Sequence, residues 1–134
     1  MKHSLALVAL LSLVAGPAAA EAPKESPEFA ACMEAVDLGA FKNSQWAACY
    51  EAELQRQDAA LNAVYKRVSA AADPDARKLL VAGERAWIAY RDAWCAYEEV
   101  VPMAPGGEVN LLACRLELTR MQVGKLSDLA EVAE

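Results

Sequence analysis

From residue 44 onward, apolar side chains recur at helical intervals. Trp46, Tyr50, Leu54, Leu61, Tyr65 and Val68 follow one another at steps of four, four, seven, four and three, which places them on one helical face. Ser44, just ahead of them, has the side chain expected of an N-cap. Asp73-Pro74 then restarts the chain, with Asp as the cap and Pro at the first helical position. A second stripe, Leu80, Gly83, Trp87, Tyr90, Trp94 and Tyr97, alternates steps of three and four and reads as a buried face. It ends at the turn-rich run VVPMAPGGEVN, after which Leu111, Cys114, Leu118, Met121 and Leu129 form a third stripe. A shorter helix is expected over Glu28 to Val36, ahead of a link at Leu38-Gly39. No strand pattern and no internal repeat is present. Short links between long helices make antiparallel neighbours. The fold class is therefore all-α: a small antiparallel bundle of three long helices and a short N-terminal one.

The first twenty residues depart from this pattern. One Lys precedes an unbroken apolar run from Leu5 to Ala15, and Ala18-Ala19-Ala20 supplies the small residues a signal peptidase requires. The run is shorter than the ~20 residues of a membrane-spanning helix. Residues 1–20 are thus expected to be a signal peptide cleaved near Ala20, residues 21–27 a flexible leader, and residues 28–134 the folded domain. The mature chain would be periplasmic or secreted.

Charge and composition narrow the possible chemistry. Cleavage removes only Lys2 from 13 Lys and Arg, leaving 12 against 19 Asp and Glu, a net charge of −7. Nucleic acid and anionic membrane surfaces need a basic footprint, so neither is expected as a partner. The one His, His3, lies in the signal peptide. Catalytic triads and zinc sites built on His are therefore excluded. No Gly-rich phosphate loop is present. The expectation is no enzyme, no cofactor and no metal.

Four cysteines in an oxidising compartment read as two disulfides. Cys95 and Cys114 lie about equally far from the turn between their helices, and therefore at similar heights on an antiparallel hairpin. The same symmetry relates Cys32 and Cys49 about the 38–44 link. The expected pairs are Cys32–Cys49 and Cys95–Cys114.

Two polar residues interrupt the stripes. With Trp87 at zero, Arg91 falls at about +40° and Asp92 at about 140°, so Arg91 borders the buried face and Asp92 points away. With Leu54 at zero, Asp58 falls at about 40° and Asn62 at about 80°. A guanidinium among aromatic rings needs a partner, because an unpaired buried charge costs several kcal/mol. An Asp58–Arg91 pair is expected, with Asn62 and Tyr65 adding hydrogen bonds and Glu84 as the competing acid. Such a pair fixes helix register, or forms part of a binding site.

Taken in order, D-x-x-L-N-x-x-Y (Asp58, Leu61, Asn62, Tyr65), W-x-x-Y-R-D-x-x-C (Trp87, Tyr90, Arg91, Asp92, Cys95) and the remaining cysteines resemble the lysozyme-inhibitor LprI-type domain of exported bacterial proteins. The resemblance spans about Cys32 to Leu126. It departs from the family pattern at Glu84, where Gln is usual. The resemblance implies a helical exported domain that inhibits lysozyme by occluding it. An acidic body would be steered toward a basic protein such as lysozyme. The alternative is an envelope interaction module with another protein or a cell-wall partner. The link Val100–Val109, with Glu98, Glu99 and Glu108 around it, is either a contact element or a plain turn. The candidate binding residues are accordingly Asp58, Asn62, Arg91, Asp92, Glu98, Glu99 and Glu108.

Overall fold

The computed structural model describes residues 25–40 and 42–132. The expected signal peptide and residues 21–24 of the expected leader lie outside these. Four helices follow in order: α1 Pro27–Glu34, α2 Asn43–Ala71, α3 Pro74–Val100 and α4 Gly107–Val132. A single 3-10 turn, Leu38–Ala40, joins α1 to α2. Among the described residues there is no strand, as the periodicity predicted.

Local chemistry accounts for the helix ends. Asp73 accepts from the backbone N–H groups of Asp75 and Ala76, and Pro74 opens α3. The guanidinium of Arg77 donates to the Ser69 and Ala72 carbonyls, so the α2–α3 corner is tied from both sides. Ser26, placed by composition in the leader, caps α1 by accepting from Phe29 N–H. Ser44 is not a cap: α2 begins at Asn43, and Lys42 in the cap position offers no side-chain bond. The preceding turn is instead closed by Asp37, whose carboxylate accepts from Gly39 N–H while its own N–H donates to Gln45. Between α3 and α4, Gly106 and Gly107 both have positive φ, 86° and 54°. Buried Asn110 gathers that link, accepting from Gly106 N–H and donating toward the Met103 and Glu98 carbonyls.

Helix α4 is the centre of the molecule. It packs along both α2 and α3, while α2 and α3 touch each other little despite the short link between them. Consecutive helices are antiparallel, which leaves α2 and α4 parallel; Asn43 donates to Pro105 O at the start of both helices, and Leu61 and Val64 meet Leu126 and Ala130 further along. Both expected disulfides are present, with Cα–Cα separations of 5.7 Å for Cys32–Cys49 and 5.5 Å for Cys95–Cys114.

The central position of α4 corrects all three expected stripes. With Leu54 at zero, the α2 residues that meet α4 lie at about −100° (Glu53), −20° (Leu61) and −80° (Val64). The buried face is thus rotated about 65° from the Leu54 line. On α3, Leu80 and Trp87 reach the core, but Tyr90, Trp94 and Tyr97 do not. Their face lies beyond the part of α3 that meets the core, and α2 packs on α4 rather than along α3. Met121 and Leu129 on α4 are also exposed, whereas Cys114 of that stripe is buried together with Leu116, Thr119, Leu126 and Ala130.

Candidate functional site

The core has two apolar halves. Phe29, Cys49 and Leu116 form one, and Leu61, Val64, Leu126 and Ala130 the other. Between them runs a polar waist, which α4 supplies with two successive residues pointing opposite ways. Arg120 faces α2 and α1; Thr119 faces α3.

On the Arg120 side lies Glu53, which is 0% exposed. Its carboxylate accepts from Ser26 Oγ, Arg56 Nε at 2.8 Å, Gln57 Nε2 at 3.0 Å and Arg120 Nη2 at 3.2 Å. Burial pushes the Glu53 carboxyl up, but the four hydrogen bonds together outweigh burial and hold it down at about 2. Arg120 also lies over the Phe29 ring, 5.3 Å from its centroid, and within 3.7 Å of Glu25. Glu25 and Ser26 therefore engage the body rather than trailing from it. A carboxylate this enclosed and this acidic stays ionised at neutral pH and cannot serve as a proton donor there.

On the Thr119 side lies Arg91. Its Nη1 donates to Thr119 Oγ1 at 3.2 Å and its Nε to Asp92 at 3.1 Å, with the guanidinium 5.0 Å from the centroid of the Trp87 ring. Asp58 approaches Nη1 to 3.6 Å across the α2–α3 gap. The Asp58 carboxylate is half-exposed, so this ion pair contributes no more than about 1 kcal/mol. Asp92 does not point away as expected. It bridges Arg91 and Arg115, whose Nε lies 3.5 Å from it. The expected angle was measured from the Trp87 face, whereas the face that meets α4 is centred nearer Cys95. Asn62 donates to the Asp58 backbone carbonyl, one turn back on its own helix, not to Arg91. Tyr65 packs against the apolar half formed with Leu126. Glu84 is taken by Gln122 and leaves Arg91 to the two aspartates.

The second feature is on the outside of α3. Tyr90, Trp94 and Tyr97 are 53%, 46% and 59% exposed. Ring centroids are 6.4 Å apart for Tyr90–Trp94 and 5.9 Å for Trp94–Tyr97, so the three side chains form one continuous ridge. With Cys95 at zero, they fall at about 220°, 260° and 200°, on the side of α3 away from the disulfide that fixes it to α4. Trp94 Nε1 donates to Glu98 at 2.7 Å, which orients the indole. Val100 and Met103 continue the apolar surface into the link. Glu99 is half-buried and Glu108, in the first turn of α4, is exposed.

The structure thus joins Asp58, Arg91 and Asp92 in one cluster and places Glu98 on the ridge. It leaves Asn62 outside that cluster. The sequence reading missed Glu53, Thr119 and Arg120, because charge within an amphipathic helix is ordinarily solvated. The pairing of Ser26 with Glu53 spans 27 residues and leaves no local signal. Among the described residues, no group of three or more His, Cys, Asp or Glu is placed to hold a metal ion, and no helix is long and apolar enough to cross a membrane.

A family model described as "Lysozyme inhibitor LprI" matches residues 39–126, which takes in the ridge, both motif segments and the waist except Glu25 and Ser26. A protein of Rhizobium meliloti (strain 1021), described only as uncharacterized, is 28% identical over 148 aligned positions that cover all of this chain and 99% of that protein. No solved structure matches the chain.

Proposed function

The chain belongs to the lysozyme inhibitor LprI family, and we propose on that premise that it is an exported protein that binds lysozyme and inhibits it by occluding its surface. The family match is the observation that carries this reading. Three properties support it. Two disulfides suit an oxidising compartment, in keeping with residues 1–20 as an export signal. A stapled bundle presents a preformed surface, so little ordering cost is charged to binding. The excess of acids over bases steers the protein toward a basic partner, as lysozymes of the animal type are. Inhibition of this kind requires no nucleophile, cofactor or metal.

The experiment is a turbidity assay in which lysozyme clears a suspension of bacterial cell wall, with and without the mature protein. A block that saturates at about one inhibitor per enzyme is the expected result. No effect on lysozymes of the animal, goose and phage types would favour an envelope module with another partner. Clearing of the suspension by the protein alone would overturn the non-catalytic reading.

A further inference from the structure

Three half-exposed aromatic rings in a row are an unusual thing to leave on a small protein. At 150–250 Å² for each such side chain, rings about half uncovered leave about 300 Å² of open apolar surface, in the range of the largest patch that a monomer usually tolerates. The ridge is also rigid. Cys95, directly beside Trp94, is fully buried and bonded to Cys114, and Glu98 holds the indole from the other side. Tyr and Trp in fixed orientations are the side chains that dominate protein interfaces.

Charge says what the ridge would receive. From Ala93 to Asn110 the chain carries three acids, Glu98, Glu99 and Glu108, and no Lys or Arg. Glu98 lies against the Trp94 ring and accepts from its indole N–H, and Glu99 and Glu108 lie at the link end of α3 and the first turn of α4. A guanidinium or ammonium satisfies both kinds of group at once: it stacks on a ring face and donates to a carboxylate. A neutral glycan would hydrogen-bond the same carboxylates but neutralise none of their charge.

We infer that the Tyr90–Trp94–Tyr97 ridge, with Glu98 upon it and Glu99 and Glu108 at its link end, is the surface that receives lysozyme, through arginine and lysine side chains of the enzyme laid over the rings. The inference rests on the proposed function and names the contact surface for it. The polar waist then has a supporting part: it fixes α3 against α4 so that the ridge stays in place.

The test compares the mature protein with a Tyr90→Ser/Trp94→Ser/Tyr97→Ser variant, a Glu99→Lys/Glu108→Lys variant and a Leu79→Ser control. Leu79 is exposed on α3 far from the ridge. Binding to hen lysozyme is measured by calorimetry and inhibition by turbidity; helix content and melting temperature verify folding. The ridge variant is expected to weaken binding and inhibition together by about 30-fold or more, as loss of hot-spot aromatics does. The charge-reversed variant, which leaves the rings untouched and so tests the surface even if the ridge variant folds poorly, is expected to bind at least about tenfold more weakly, mostly through a slower on-rate. The Leu79→Ser control should match the parent. If the parent inhibits and both the ridge and charge variants inhibit within twofold of it, the ridge is overturned and the proposed function stands. If the parent neither binds nor inhibits lysozyme, the proposed function falls and the ridge assignment with it. A concentration-dependent dimer that the ridge variant abolishes would assign the ridge to a second copy of this chain. Peptidoglycan binding that the ridge variant loses, with lysozyme binding intact, would assign it to glycan. Either result overturns the inference.

Discussion

Glu53 is the residue on which the interior depends most. It is a carboxylate closed off from solvent and held by one hydroxyl, one amide and two guanidinium groups, two of these partners coming from other elements. Removing one partner from such a buried ionic cluster costs about 3–5 kcal/mol, since the charges left behind stay buried. The effect depends on pH in a defined direction. The folded-state value, about 2, lies below the ordinary 4.5, so the native state holds the proton less tightly than the unfolded chain. The resulting stability is fully present above pH 4.5 and is lost as pH falls through about 2. At 1.36 kcal/mol per unit, it amounts to about 3 kcal/mol. Urea unfolding of the parent and of Glu53→Gln at pH 7, 4 and 2 should show the parent well ahead at neutral pH and the gap closing toward pH 2. Parallel pH profiles for the two proteins would show that Glu53 is not the group responsible.

At the scale of elements, what the sequence revealed depended on how local the cause was. Asp73-Pro74 marked the start of α3 because capping acts within one turn, and the cysteine pairs were readable because heights on a hairpin follow from residue counts. The choice of neighbours was not local. The α3 stripe has the period of a buried face, yet only its Trp87 end is covered, because α4 lies against both other long helices and draws α2 away. Periodicity shows that a helix has an apolar face but not which helix, or which other molecule, covers it. The same limit hid the waist: Thr119 and Arg120 are adjacent in sequence and serve opposite sides of α4, a pattern no single-stripe reading produces. This arrangement makes α3 the least supported long helix, with the Cys95–Cys114 bond as its main fixture. Replacing that pair with Cys95→Ser/Cys114→Ser should therefore raise amide exchange along α3 first, while α2 amides near Leu61 and Val64 stay protected. Uniform loss of protection across all helices would mean that the molecule opens as one unit and that α3 has no separate weakness.

For the molecule as a whole, the acids and the ridge divide the work of recognition. A chain with 19 Asp and Glu against 13 Lys and Arg attracts a basic partner over a distance set by the Debye length, about 10 Å at 0.1 M salt. That long-range attraction determines how often encounters occur, whereas residence time depends on contacts made after water is excluded. The two should separate in a salt series. Association of the mature protein with a basic lysozyme is expected to slow by about tenfold or more between 0.02 and 0.5 M salt, with dissociation nearly unchanged. Surface-plasmon kinetics resolve both rates. Were the off-rate to carry the salt dependence instead, buried ion pairs and not aromatic contacts would be holding the complex. An on-rate indifferent to salt would mean that the acidic surface keeps the protein soluble and has no part in finding its partner.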